Sequence, residues 1–92
     1  MSKVSINRTF TMPVEEVKQG MQTLAEGLKA EHGMQYDWAG DSEVKFKYKA
    51  GQGSLKIVGN ELQLLIKIPM LFAATAPILK KKINTWADEN IH

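Results

Sequence analysis

The stretch MQYDWAGDSEVKFKYKAGQGSLKIVGNELQLLIKI, residues 34–68, alternates apolar and polar side chains with a period of two rather than at helical spacing. Met34, Tyr36 and Trp38 share one phase, followed by Val44, Phe46 and Tyr48, then Leu55 and Ile57, then Leu62, Leu64, Ile66 and Ile68. The breaks at Gly40-Asp41, Gly51-Gln52-Gly53 and Gly59-Asn60 carry residues that tolerate the positive φ of tight hairpins. The pattern predicts a four-strand antiparallel meander with one apolar face. Loops this short make neighbours in sequence neighbours in the sheet.

Ahead of the meander, Val4, Ile6 and Phe10 share a phase and predict a first strand from about Lys3 to Phe10. Arg8 falls in the same apolar phase. Either its stem lies at the sheet rim with its head in water, or it anchors an anionic ligand at the end of the sheet. Pro13 then pre-sets a helical φ, Glu15 and Glu16 sit where the helix dipole favours negative charge, and Thr11 is the nearest capping residue. Val14, Val17, Met21, Leu24 and Leu28 form one stripe on a helix of about twenty residues that Gly33 would close. Gly20 and Gly27 cost that helix about 1 kcal/mol each relative to alanine, understandable where it runs close to the sheet or to another helix.

Beyond the meander, Pro69 ends the fifth strand and Pro77 opens a second helix. Its apolar face is Ile78, Leu79, Ile83, Trp86, Ala87 and Ile91, opposed by Lys80, Lys81, Asp88 and Glu89. Strand directions let the first strand add antiparallel beside the fifth. The expected fold is α+β, ordered β-α-β-β-β-β-α, with strand order 1-5-4-3-2 and both helices on one face. It resembles a shortened helix-grip domain and occupies residues 1–92 as a single domain.

A chain of 92 residues buries about 60 to 65 % of its unfolded surface, enough for one sheet covered on one face. The apolar fraction of 43 % and charged fraction of 24 % argue against disorder. No run approaches the ~18 uninterrupted apolar residues of a membrane span. Only Lys3 precedes the alternating Val4 and Ile6, without the apolar run of a secretory signal, so a cytoplasmic protein is expected. There are no cysteines, and His32 and His92 are the only imidazoles. The net charge of +2 permits contact with an anionic surface without requiring it.

Candidate acid-base or hard-metal groups reduce to Glu15-Glu16, Asp37 with Asp41, and Asp88-Glu89. A helix N-terminus explains the first, a strand's solvent face and a turn the second. No nucleophile, base and orienting group come together, so an enzyme is not expected, nor any metal or cofactor. Gly51-Gln52-Gly53 joins strands rather than opening a helix, so it offers no phosphate cradle. Lys45, Lys47, Lys49, Lys56 and Lys67 make a basic sheet face, but Tyr36, Trp38, Phe46 and Tyr48 are all in the inward phase. Without stacking platforms there, nucleic acid is not an expected partner.

Two features stay open at this level. The segment from Met70 to Ala76 sets Met70, Leu71 and Phe72 in succession; it either completes the core or presents an exposed apolar tip to a partner or polymer surface. Trp38 and Trp86 either fill the core or, with Phe46 and Leu64, line a cavity between the last helix and the sheet.

Several segments are similar to the putative polyhydroxyalkanoic acid system protein family: Pro13-Val14-Glu15-Glu16, Leu24-Ala25-Glu26, and Tyr36-Asp37-Trp38-Ala39-Gly40-Asp41. Phe46, Gly53 before Leu55, and Pro77 with Ile78 and Ile83 also match. Where the family pattern places charge around the last proline, this chain has Ala73-Ala74-Thr75-Ala76. The resemblance implies a non-enzymatic role at polyhydroxyalkanoate storage granules or with the proteins that make and coat them, and it supplies no site residues. The alternatives are a carrier of a small apolar ligand in the cavity just described, and a homodimeric module pairing through strand two, whose outer edge has no partner.

Overall fold

The computed structural model describes residues 2–48 and 51–92. Its elements run β1 (Ser2–Thr9), α1 (Val14–His32), β2 (Gln35–Trp38), β3 (Glu43–Tyr48), β4 (Gly51–Val58), β5 (Glu61–Ile68), a single 3-10 turn at Met70–Phe72, and α2 (Thr75–Asn90). The strands form one antiparallel sheet in the order β1-β5-β4-β3-β2. The expected topology is therefore the observed one.

Register turns the period-two pattern into continuous rows across the sheet. Tyr36 pairs with Phe46, Phe46 with Gly53, Gly53 with Ile66 and Ile66 with Val4. The next row on the same face is Trp38, Val44, Leu55, Leu64 and Ile6. Val17, Met21, Leu24 and Leu28 of α1 and Leu79, Ile83 and Trp86 of α2 close over these rows in one hydrophobic core. A one-residue slip would turn the whole set to solvent, so burial fixes the register.

Two turns fall where expected, with positive φ at Gly40 and Gly59. The middle one does not. Gly51, Gln52 and Gly53 belong to β4, opposite Tyr48, Lys47 and Phe46. The reason for glycine here is close approach rather than turning: a Cβ on Gly53 would lie 2.6 Å from the Leu65 carbonyl oxygen and 2.8 Å from Ile66 Cγ1.

Gly33 closes α1 with φ of 67° and its N–H on the Lys29 carbonyl, as the stripe predicts. Thr11 does not cap that helix. Pro13 holds the cap position with no side-chain bond, while Thr11 Oγ1 donates to the His92 carbonyl at 3.4 Å. Val14 remains exposed at the start of the helix. Helix α2 begins at Thr75, so Pro77 lies within its first turn, where the missing N–H needs no partner. Ile78, expected on the apolar face, is 60 % exposed, and Leu79 takes the inward position. Gly20 is explained by α2, since a Cβ there would meet Trp86 Cζ2 at 3.4 Å; at Gly27 a Cβ would meet nothing within 4 Å.

Candidate functional site

Pro69 ends the β5 ladder and starts a tight turn in which Phe72 N–H donates to the Pro69 carbonyl at 2.9 Å and Ala73 N–H to the Met70 carbonyl at 3.1 Å. At three residues per turn, consecutive side chains point in three different directions. The outcome divides the two readings of this segment. Phe72 is half-buried and packs against the core, whereas Met70 and Leu71 are 77 % and 86 % exposed. Beside them Lys3, Val4, Ala73, Ala76, Pro77 and Lys80 line a shallow depression of about 380 Å³.

Of the four proposed cavity residues, Phe46, Leu64 and Trp86 belong to the hydrophobic core and Trp38 packs against it. Phe46 and Leu64 are buried in the core at 2 % and 3 % exposure. Trp38 is half-buried, and its Nε1 donates to Gln22 Oε1 at 2.7 Å. Gln22 Nε2 donates in turn to the Tyr36 hydroxyl at 3.0 Å and to Glu26 Oε1 at 2.7 Å, which pins β2 to α1. Trp86 instead borders an open groove between α1 and α2, about 590 Å³ in volume, with Leu24, Gly27 and Ile78 among its walls. Phe46, Trp86 and Leu64 each border a different concavity. Sequence periodicity puts Trp86 on the inward face but carries no signal for a groove between two helices. The Trp86 indole N–H is buried without an acceptor.

Arg8 turns out to be a structural tie. Its Nη1 donates to Asp88 Oδ1 at 2.7 Å and its Nη2 to Asn84 Oδ1 at 3.0 Å, joining β1 to α2. Partners nearly the whole chain away cannot be paired from local pattern. Glu31 accepts from Lys82 across the two helices. That hydrogen bond, and then the ammonium charge itself, hold the Glu31 carboxyl below the usual carboxylate range.

On the outer sheet face Lys45 lies opposite Asp37, and Lys56 opposite Glu43. Lys49, counted with that face from sequence, lies outside the described residues. Among the described residues no group of three or more His, Asp or Glu side chains could hold a metal ion. No helix among the described residues is long and apolar enough to cross a membrane. Strand β2 forms one edge of the sheet and is four residues long.

The chain matches the model of one protein family, described as putative polyhydroxyalkanoic acid system protein, over residues 4–91. No curated protein and no solved structure matches it. The match takes in all but the first residues of β1, both helices and the Met70–Leu71 turn, and by it the chain belongs to the putative polyhydroxyalkanoic acid system protein family.

Proposed function

We propose that this is a non-enzymatic cytoplasmic protein that associates with polyhydroxyalkanoate granules, touching the polyester or its coat through Met70 and Leu71. The observation that carries the reading is the exposure of two adjacent large apolar side chains on a hydrogen-bonded turn at the end of the molecule. Family membership supplies the setting. Burying one such side chain is worth about 1.5 to 3 kcal/mol, so a pair supports a reversible contact once the cost of immobilising the protein is subtracted.

The test is co-sedimentation with polyester granules, comparing the wild type with Met70→Ser/Leu71→Ser. Phe72 is left intact because it packs on the core, and its loss would confuse unfolding with lost contact. The double variant is expected to keep its fold by circular dichroism and to lose at least about tenfold in granule recovery, the scale set by two side chains of this size. Equal recovery of two folded proteins would overturn the reading.

A further inference from the structure

Among the described residues the antiparallel layout gathers much of the charge at one end of the molecule or the other. Ser2 lies opposite Ile68 and Thr9 opposite Glu61, while α1 runs toward the Ser2–Ile68 end and α2 away from it. At that end, next to Met70 and Leu71, Lys3 faces Lys67 across β1 and β5, and Lys47 continues the same row through Gln52. Lys80 shares a depression with Lys3. Among the described residues none of these four lysines has a carboxylate within ion-pair distance, and the acid at this end, Glu31, is taken by Lys82.

The opposite end is acidic. Glu15 and Glu16 open α1, Glu43 and Glu61 start β3 and β5, and Asp88 and Glu89 lie in the last turn of α2. Of its cations, Arg8 and Lys18 are ion-paired, and Lys56 lies opposite Glu43 in the ladder. Helix α1, at 19 residues, separates the two poles by about 28 Å. That exceeds the screening length of about 8 Å in physiological salt, so a surface meeting one pole hardly senses the other.

We infer that the Met70–Leu71 pole docks end-on onto an anionic lipid surface, its lysines taking up the negative charge and its two apolar side chains entering the interface. Neither element suffices alone. One or two inserted side chains give marginal binding, and a polybasic patch is the second signal that makes such binding stable. Lysines without ion pairs gathered around the exposed tip, with an excess of acids at the far end, favour an anionic surface approached by this pole. The inference rests on the tip of the proposed function and adds the charge that a neutral polymer would not need.

The experiment is sedimentation of the full chain with vesicles of phosphatidylcholine alone or with a third of phosphatidylglycerol, at low and high salt, alongside bare polyester particles. Binding is expected only to the anionic vesicles and is expected to fall with salt. Lys67→Glu reverses one charge at the tip pole and should weaken it roughly tenfold or more, at about fivefold per unit charge. Lys56→Glu makes the same change beside Glu43 at the far pole and should leave binding within about twofold, being beyond screening range. Met70→Ser/Leu71→Ser should abolish it. Equal loss for Lys56→Glu and Lys67→Glu would reduce the effect to net charge and overturn end-on docking. So would equal binding to both vesicle types, or none to either. Polyester binding that persists without lipid binding would overturn this inference and leave the proposed function standing; loss of both would remove the two together.

Discussion

At the Thr9–Glu61 end of the sheet the polypeptide ties its own groups together, whereas at the Ser2–Ile68 end it leaves Met70 and Leu71 in solvent. At the first end Arg8 reaches Asp88 and Asn84, and the backbone N–H groups of Thr11 and Met12 converge on the His92 carbonyl at 2.7 and 3.0 Å. At the second end a turn closed by its own backbone holds two large apolar side chains outward, with lysines that have no ion pair around them. The same sheet therefore has one end built for cohesion and one left available. The contrast sorts residues by whether their loss should be felt in stability or in binding.

The sharpest break of that contrast uses two neighbours in sequence. Phe72→Ser should cost about 2 kcal/mol, less than a full core truncation because the ring is half-buried, and lower Tm by about 10 °C. Leu71→Ser should leave stability within about 0.5 kcal/mol. Comparable melting curves for the two variants would mean the turn does not sort them as described. A smaller effect is expected at the tied end. Arg8→Met keeps the stem and removes the fork, and should cost about 1 kcal/mol in urea unfolding. A double-mutant cycle with Asp88→Ala should recover a coupling of about 0.5 kcal/mol, modest because Asp88 is exposed. Additive losses would show that the tie contributes nothing.

The smallest effect concerns Glu31, an exposed group whose folded-state pKa lies below its ordinary value. Its contribution to stability is present above the unfolded-state pKa and fades as pH falls through the folded one. In an NMR titration the carboxyl carbon of Glu31 should titrate below the ordinary carboxylate range in the wild type, and return to it in Lys82→Met. Ordinary titration in the wild type would place an unpaired acid at the basic pole and weaken the contrast of charge.

Most of the sheet was legible because its face is decided by parity: Val44, Phe46, Leu55 and Leu64 declare their side by alternation alone, and Gly40 and Gly59 announce two of the hairpins. Gly51 and Gly53 misled because glycine serves two purposes. A string shows that a Cβ is missing, but not whether backbone sign or crowding excluded it, and here it was the Leu65 and Lys67 carbonyls. The site was half legible. Met70, Leu71 and Phe72 stood out as apolar, yet one turn of 3-10 helix is too short to leave a period, so the sequence could not say which of them faces inward. Trp86 and Ile78 read as core by helical spacing, and only the packing of α1 against α2 opens a groove beside them. Arg8, Asn84 and Asp88 meet because β1 returns to the sheet beside β5, a contact set by topology rather than by any motif.

The bonds from Thr11 and Met12 to the His92 carbonyl carry a practical corollary for anyone attaching the protein to a solid support or a fluorophore. A tether leaving from His92 departs at the pole remote from Leu71 and presents the exposed turn to whatever flows past. A tether leaving from Ser2, which lies opposite Ile68, emerges beside that turn and shades it. Capture measurements made in the two orientations would differ for reasons of steric access alone, and a failure to bind in the second would say nothing about affinity.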